Sequence, residues 1–269
     1  MSKFPRYVLL SILAVFALFP IAWVALSSLK PQSELFTYPL TIIPRAPTLA
    51  NYGSALRSAD FTVYLANSVF VSVVSTILTI IINVMAGYAL AKFWFRGRQA
   101  IFYSMMATLM IPLQAIMIPI FLLLKQLGLL NSLWGLIIPA AATPTGVFLA
   151  RQYIETIPNS FIEAARIDGG GEFMIFRRIV FPLSKPIVAT IAIFSFMWRW
   201  NDFLWPFIVT SKKSKMTLQL ALANFVGQYQ IHWDSLLAMT VITMVPMVIV
   251  FLSLQKYFVT GLTAGGVKA

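Results

Sequence analysis

Polar residues inside long apolar runs are where this chain could do chemistry, because each is costly in an apolar setting and marks a contact or a pathway. Trp198, Asn201, Asp202 and Trp205 stand at i, i+3, i+4 and i+7, which on a continuous helix gives them one face. Two indoles beside an amide and a carboxylate suit a sugar, since flat rings stack on a pyranose and the polar groups take its hydroxyls. A second reading fits equally well. Position 198 lies about 20 Å along a helix that starts near Lys185, at 1.5 Å per residue. The aromatics then form an interfacial belt, with Arg199 snorkelling and pairing with Asp202. Asn83 and Gln114 complete the candidate pathway residues, and both fit interhelical hydrogen bonds better than sugar ligation.

A second constellation is charged and lies between apolar runs. Ser160-Phe-Ile-Glu163 has capping-box spacing, so the hydroxyl and the carboxylate are expected to satisfy free amides at a helix start. Ala164 and Ala165 favour helix and leave a low surface. Gly169 supplies a left-handed stop. Beyond Gly169-Gly-Gly171, Phe173, Phe176 and Val180 recur at helical spacing, and Pro182 is expected to end that second helix. With Glu163, Arg166 and Asp168 this makes a short polar knob that suits docking by another protein. The same pattern also describes an amphipathic hairpin resting on lipid headgroups.

Other chemistry is excluded by composition. The chain has no cysteine and a single histidine, His232, so thiol, disulfide and histidine-cluster metal chemistry are not expected. No Gly-x-x-x-x-Gly-Lys-Ser/Thr loop occurs, so no nucleotide site and no cofactor are expected. Of 269 residues, 59% are hydrophobic and only 10% are charged, with a mean hydropathy of +0.85. So few charges cannot clothe a soluble domain of this size. The net charge of +12 is spread over the ends of apolar runs rather than along one stripe. It therefore points to anionic headgroups of a bilayer and not to nucleic acid.

The elements that must position these residues follow from the charge-free windows 7–29, 61–91, 99–124, 126–150 and 235–255, each about the 20 residues a spanning helix needs. A sixth window, 186–209, is interrupted only by Arg199 and Asp202. The expected architecture is an all-α integral membrane protein in one transmembrane domain over 1–269. Its six spans fall at about 7–29, 63–91, 100–124, 130–150, 186–209 and 235–256, with a loop at 152–184. The first run is read as an uncleaved span. With both termini inside, twelve basic residues fall on inner segments and seven on outer ones, so the positive-inside rule favours cytoplasmic termini. Lys212, Lys213 and Lys215 are the main dissent. Segment 30–60, with Pro31, Pro39, Pro44 and Pro47, reads as an irregular loop holding a short helix near Leu49–Arg57. Pro112, Pro119, Pro139 and Pro144 suggest bent third and fourth spans.

The run Glu163-Ala-Ala-Arg-Ile-Asp168-Gly169, continuing through Ile179, Pro182 and Pro186, resembles the cytoplasmic loop of inner-membrane permease subunits of ATP-binding-cassette importers. Gly170 departs from the small non-glycine residue or alanine usual there. The tail Tyr257–Ala269, with Gly261, Gly265, Gly266 and Lys268, resembles carbohydrate-importer permeases, especially the smaller maltose-type one. Ser27-Ser-Leu-Lys30-Pro31, Pro47-Thr-Leu-Ala-Asn51-Tyr52 and Trp200–Phe203 look like the same subfamily.

The resemblance implies that Glu163, Ala164, Ala165, Arg166, Asp168 and Gly169 form a coupling helix between spans four and five that docks in a cleft of an ATPase subunit. It implies that the tail meets the ATPase dimer interface. It further implies a non-catalytic subunit in the bacterial inner membrane, paired with a homologous second permease, two ATPase subunits that bind ATP and Mg, and an extracytoplasmic sugar-binding protein. The cargo would be a sugar or oligosaccharide. An ion-driven secondary transporter and a non-transporting assembly protein are the rival readings.

Overall fold

The computed structural model describes residues 3–57, 60–226 and 232–264, and every regular element among them is helical. In chain order these are α1 (Lys3–Ser27), α2 (Gln32–Leu35), α3 (Ala50–Arg57), α4 (Phe61–Lys92), α5 (Arg98–Thr108), α6 (Leu113–Gln126) and α7 (Leu133–Ile137), which runs into a 3-10 turn at Ile138–Ala140. There follow α8 (Pro144–Glu155), α9 (Asn159–Ile167), α10 (Glu172–Ile175), a π segment (Phe176–Val180), α11 (Phe181–Leu183), α12 (Lys185–Trp200), α13 (Leu204–Val209), α14 (Leu218–Val226) and α15 (Trp233–Ala264).

Among the described residues three unbroken helices, in α1, α4 and α15, are long and apolar enough to cross a bilayer. Three more stretches reach that length only as bent pairs. These are α5 with α6, bent by 103°, α7 and its 3-10 turn with α8, bent by 43°, and the Glu172–Leu183 stretch with α12, bent by 79°. The third apolar window is therefore not one kinked rod. Met106, Ala107 and Thr108 carbonyls end α5 in tight turns, and Pro112, which has no amide hydrogen to donate, stands before α6 in extended geometry. In the fourth window Thr143 restarts the helix, its Oγ1 accepting from Gly146 N–H at 3.2 Å with Pro144 in the first turn. The fifth window is also interrupted, because α12 ends at Trp200 and α13 begins at Leu204.

Helix α4 is the mast of the bundle, packed against α8 and α12, while α12 packs in turn on α15. Its inward face is small and polar, with Ser68, Ser72, Ser75, Thr76, Thr79, Asn83 and Gly87 among the buried residues. That composition lets backbones approach. A methyl group at Gly87 would sit 2.6 Å from Ala150 Cβ and 2.8 Å from Arg151 N, and one at Gly146 would strike the Asn83 amide. Asn83 and Gly87 on α4 thus cross Gly146 and Ala150 on α8, two pairs each four residues apart. This is the small-residue packing that membrane helices use where hydrophobic burial gives no driving force.

Two polar clamps fix the segments at the far end. Asn131, at φ +57°, accepts through Oδ1 from Ser211 N–H (2.7 Å) and Lys212 N–H (2.9 Å). Asn67 Nδ2 donates to the Ser214 and Met216 carbonyls at 3.0 and 2.9 Å. At the end of α1, Asn51 Nδ2 donates to the Ser28 and Lys30 carbonyls, both at 2.8 Å, which seats α3.

Candidate functional site

The segment between α8 and α12 is packed onto the bundle through a shared apolar core. Ile162 and Ala165 on α9 are buried together with Ile154, Ile157, Ile175 and Val180, against Val84 and Tyr88 of α4. The opposite face of α9 is open, with Glu163, Ala164, Arg166, Ile167 and Asp168 exposed and Ile167 86% accessible. Ala165 therefore faces the bundle rather than outward. Phe161 and Phe173 are exposed alongside, so the projecting surface mixes charge with apolar groups.

The end of α9 is a Schellman turn. Gly170 N–H donates to the Ala165 carbonyl at 2.8 Å, Gly169 N–H donates to Arg166 O at 3.0 Å, and Gly169 takes φ +80°. The start of the helix differs from expectation. It begins at Asn159 after Pro158, no side chain caps it, and Ser160 lies inside the first turn. Pro158 accounts for this, since its fixed φ presets the entry and leaves no role for a hydroxyl one residue into the helix. The second helical stretch ends at Leu183, one residue beyond Pro182. Pro182 sits in the first turn of α11, where its missing amide hydrogen follows a π segment that has already shifted the hydrogen-bond ladder. The chain turns at Ser184.

Two side chains one turn apart on α4 grip both ends of α9. Lys92 Nζ donates to the Ile157 carbonyl at 2.5 Å and to Asn159 Oδ1 at 2.8 Å. The Tyr88 hydroxyl donates to Glu172 Oε2 at 3.0 Å, and Glu172 Oε1 accepts from Arg166 Nε at 2.7 Å. The Arg166 guanidinium holds the Glu172 carboxyl below the usual glutamate range, and the carboxylate in turn raises Arg166. Tyr88, Lys92, Asn159 and Glu172 escaped sequence reasoning. The only signal was the i, i+4 spacing of Tyr88 and Lys92 at the end of an apolar window.

The candidate pathway residues do not gather on one face. Trp198 is 68% exposed, whereas Trp205 is buried and its Nε1 donates to the Gly135 carbonyl at 3.2 Å. Asn201 and Asp202 lie in the break. Asn201 Nδ2 turns back to Met197 O at 2.9 Å, and Asp202 Oδ1 accepts from Trp205 N–H at 3.2 Å, starting α13. Arg199 forms no ion pair with Asp202 and instead reaches the Ala140 carbonyl at 3.4 Å. Asn83 is fully buried and locked to Thr143, donating to Oγ1 at 2.8 Å and accepting from its N–H at 3.1 Å. Gln114 is exposed in the first turn of α6. Trp198 and Arg199 do share a cavity of about 260 Å³ with Thr79, Thr143, Thr145 and Ser195, between α4, α8 and α12.

In the tail, Gly261 falls within α15, while Gly265, Gly266 and Lys268 lie outside the described residues. Among the described residues no cluster of three or more His, Cys, Asp or Glu could hold a metal ion.

Residues 83–263 match the family described as binding-protein-dependent transport system inner membrane component. The arabinooligosaccharides transport system permease protein AraQ of Halalkalibacterium halodurans is 39% identical over 95% of this chain and 93% of its own length. The sulfoquinovosyl glycerol transport system permease protein SmoH of Agrobacterium fabrum is 36% identical over 98% of this chain and 93% of its own. Among solved structures, a bacterial ABC transporter involved in import of the acidic polysaccharide alginate has a chain that superposes with a TM-score of 0.86. It is 30% identical and covers 95% of this chain and 96% of that one. The chain belongs to the family of inner-membrane components of binding-protein-dependent transport systems, the multi-pass, non-catalytic permease subunits of ABC importers.

Proposed function

We propose that this chain is a permease subunit of an ATP-driven importer for a sugar or oligosaccharide in the bacterial inner membrane, with α9 as its coupling helix. Six crossings are assigned to α1, α4, α5–α6, α7–α8, α12–α13 and α15, with both ends of the chain in the cytoplasm. The partners are a homologous second permease, two ATPase subunits that bind ATP and Mg, and an extracytoplasmic binding protein. The relatives named above carry arabinooligosaccharides and sulfoquinovosyl glycerol, which supports a glycoside as cargo.

One observation carries the reading: α9 projects a charged face while the chain at its two ends is clamped to α4, at Ile157 and Asn159 by Lys92 and at Glu172 by Tyr88. A loop resting on lipid has no need of a double clamp to the central helix. A transmitter of force does. When ATP closes the nucleotide-binding dimer, a lobe that holds Glu163–Gly169 moves α9 as a rigid body, and the clamps pass that motion into α4 and on to α8 and α12. The test is co-purification and uptake. Glu163→Ala lowers ATPase attachment in a pull-down and lowers ATP-dependent sugar uptake in vesicles. Full attachment together with full uptake refutes the coupling role.

A further inference from the structure

The two halves of the bent α5–α6 stretch are held by different means. Helix α6 sinks Met117 and Leu124 into an apolar core with Val71, Ile137, Trp205 and Val209. Helix α5 buries no residue of its own. It follows Gly97 at φ +87°, meets α6 at the 103° bend, and packs on α8. Lipid tails are as apolar as leucine, so an apolar contact alone gives α5 little preference for α8 over lipid. A directional bond is needed to keep it there.

Arg151 of α8 supplies that bond. The residue is 8% exposed, and its guanidinium carbon lies 3.8 Å from the centroid of the Phe102 ring on α5. The same ring stacks on Phe148, with centroids 6.2 Å apart and planes at 20°. Phe148 and Arg151 are three residues apart on α8, so together they grip one ring. Arg151 Nη2 also donates to Gln99 Oε1 at 3.5 Å, in the first turn of α5. Its Nε donates to Glu155 Oε1 at 2.9 Å, one turn along α8, which fixes the plane of the guanidinium. A cation held over a ring attracts it more strongly once both are out of water.

Arg151 also stands on the path from α9. Glu155 interacts electrostatically with Lys92, whose ammonium bonds the Ile157 carbonyl and Asn159 at the start of α9. Ile154, between Arg151 and Glu155, is buried in the core that α9 shares. A displacement delivered at α9 therefore meets, within about one turn of α8, the residue that grips α5.

We propose that Arg151 is a positioning residue for transport: it makes α5 travel with α8, so that the displacement received at α9 reaches the third span. The proposal rests on α9 being the coupling helix.

The test uses the assembled transporter in nanodiscs, nucleotide-free and trapped with ATP and vanadate. Spin labels at Tyr103→Cys on α5 and Gln152→Cys on α8 are read by their dipolar coupling, in a chain with no native cysteine. In the otherwise unaltered chain the coupling is expected to be the same in both states. In Arg151→Gln it falls about twofold on trapping, as α8 moves without α5, and Arg151→Lys, which keeps a cation over the ring, restores most of it. Phe102→Leu, which keeps apolar bulk and loses the ring, behaves as Arg151→Gln does, and it decides by the same comparison if Arg151→Gln does not assemble. A uniform loss in both states assigns Arg151 to stability alone and overturns the proposal. So does a coupling that changes on trapping as much in the unaltered chain as in the variants, or no change in any of them. The coupling-helix reading fails by a different measurement, full ATPase attachment and full uptake in Glu163→Ala.

Discussion

Tyr88 and Lys92 lie one helical turn apart on α4 and hold opposite ends of α9, Lys92 directly at Ile157 and Asn159, Tyr88 through Glu172 and Arg166. Motion imposed on α9 therefore reaches α4 through polar bonds at one short stretch, beside an apolar core that α9 shares with α8 and α12.

Tyr88→Phe removes the hydroxyl and leaves the ring packed edge-on against Phe93 and tilted against Phe176. The lost hydrogen bond is worth about 1 kcal/mol. Sugar moved per ATP hydrolysed is expected to fall about threefold while ATPase attachment is unchanged. A measured ratio equal to that of the parent protein refutes a transmitting role for Tyr88.

Lys92→Met takes away both bonds at the start of α9. Amide exchange at 162–165, the first amides that α9 bonds, is expected to rise by about tenfold, equivalent to ~1.4 kcal/mol of local opening, with little change at 168–170. Combined with Tyr88→Phe, it should uncouple hydrolysis from uptake more than the two single changes together, since each clamp limits the freedom that the other leaves.

Gly169 has open space where a Cβ would go, so a substitution there acts through the backbone alone. Holding a β-branched residue at φ +80° costs roughly 1–2 kcal/mol. Gly169→Val should lower uptake while membrane insertion survives, and Gly169→Asn, which tolerates the left-handed region, should retain more. Equal uptake in all three proteins contradicts the docking account.

Gly87→Val forces α4 and α8 apart, because even its first carbon meets Ala150 and the Arg151 backbone. Overpacking of this kind costs about 1–3 kcal/mol. The expected outcome is a lower melting temperature and poor yield of the assembled complex, measured by size-exclusion chromatography in detergent.

Acid should loosen the turn after α9. The Glu172 carboxyl is held low by Arg166, with a smaller contribution from the Tyr88 hydrogen bond. A depressed carboxylate stabilises the fold above its unfolded value of about 4.5 and loses that contribution as pH falls through the lower folded value. Amide exchange at 166–172, corrected for its intrinsic pH dependence, should be flat from pH 6 to 8 and rise below about 4.5. Glu172→Gln should show the raised exchange at every pH.

How much of this was legible depended on range. The charge-free windows mark the apolar helices because bilayer length fixes how long they must be, and the left-handed Gly169 follows from glycine chemistry alone. The bends of the third and fourth spans were legible from their prolines, but not where in each span the break falls. Proline is ambiguous: Pro20, Pro119 and Pro246 ride inside unbroken helices, whereas Pro112 and Pro144 stand at helix starts. Helical spacing placed Trp198 and Trp205 together, yet it presumes an unbroken helix, and the interruption at 201–203 separates an exposed indole from a buried one. The clamps at Tyr88 and Lys92 join residues 65 to 84 positions apart. No local pattern encodes such a pairing.

The Asn67 clamp and the Lys92 clamp are 25 residues apart on the same uninterrupted helix, about 38 Å at 1.5 Å per residue. A bilayer's hydrocarbon layer is about 30 Å thick. The tri-lysine spur at 212–215 and the α9 knob are consequently antipodal, and labelling either from one compartment locates both. If α9 meets an engine in the cytosol, the spur stands on the outer face of the membrane.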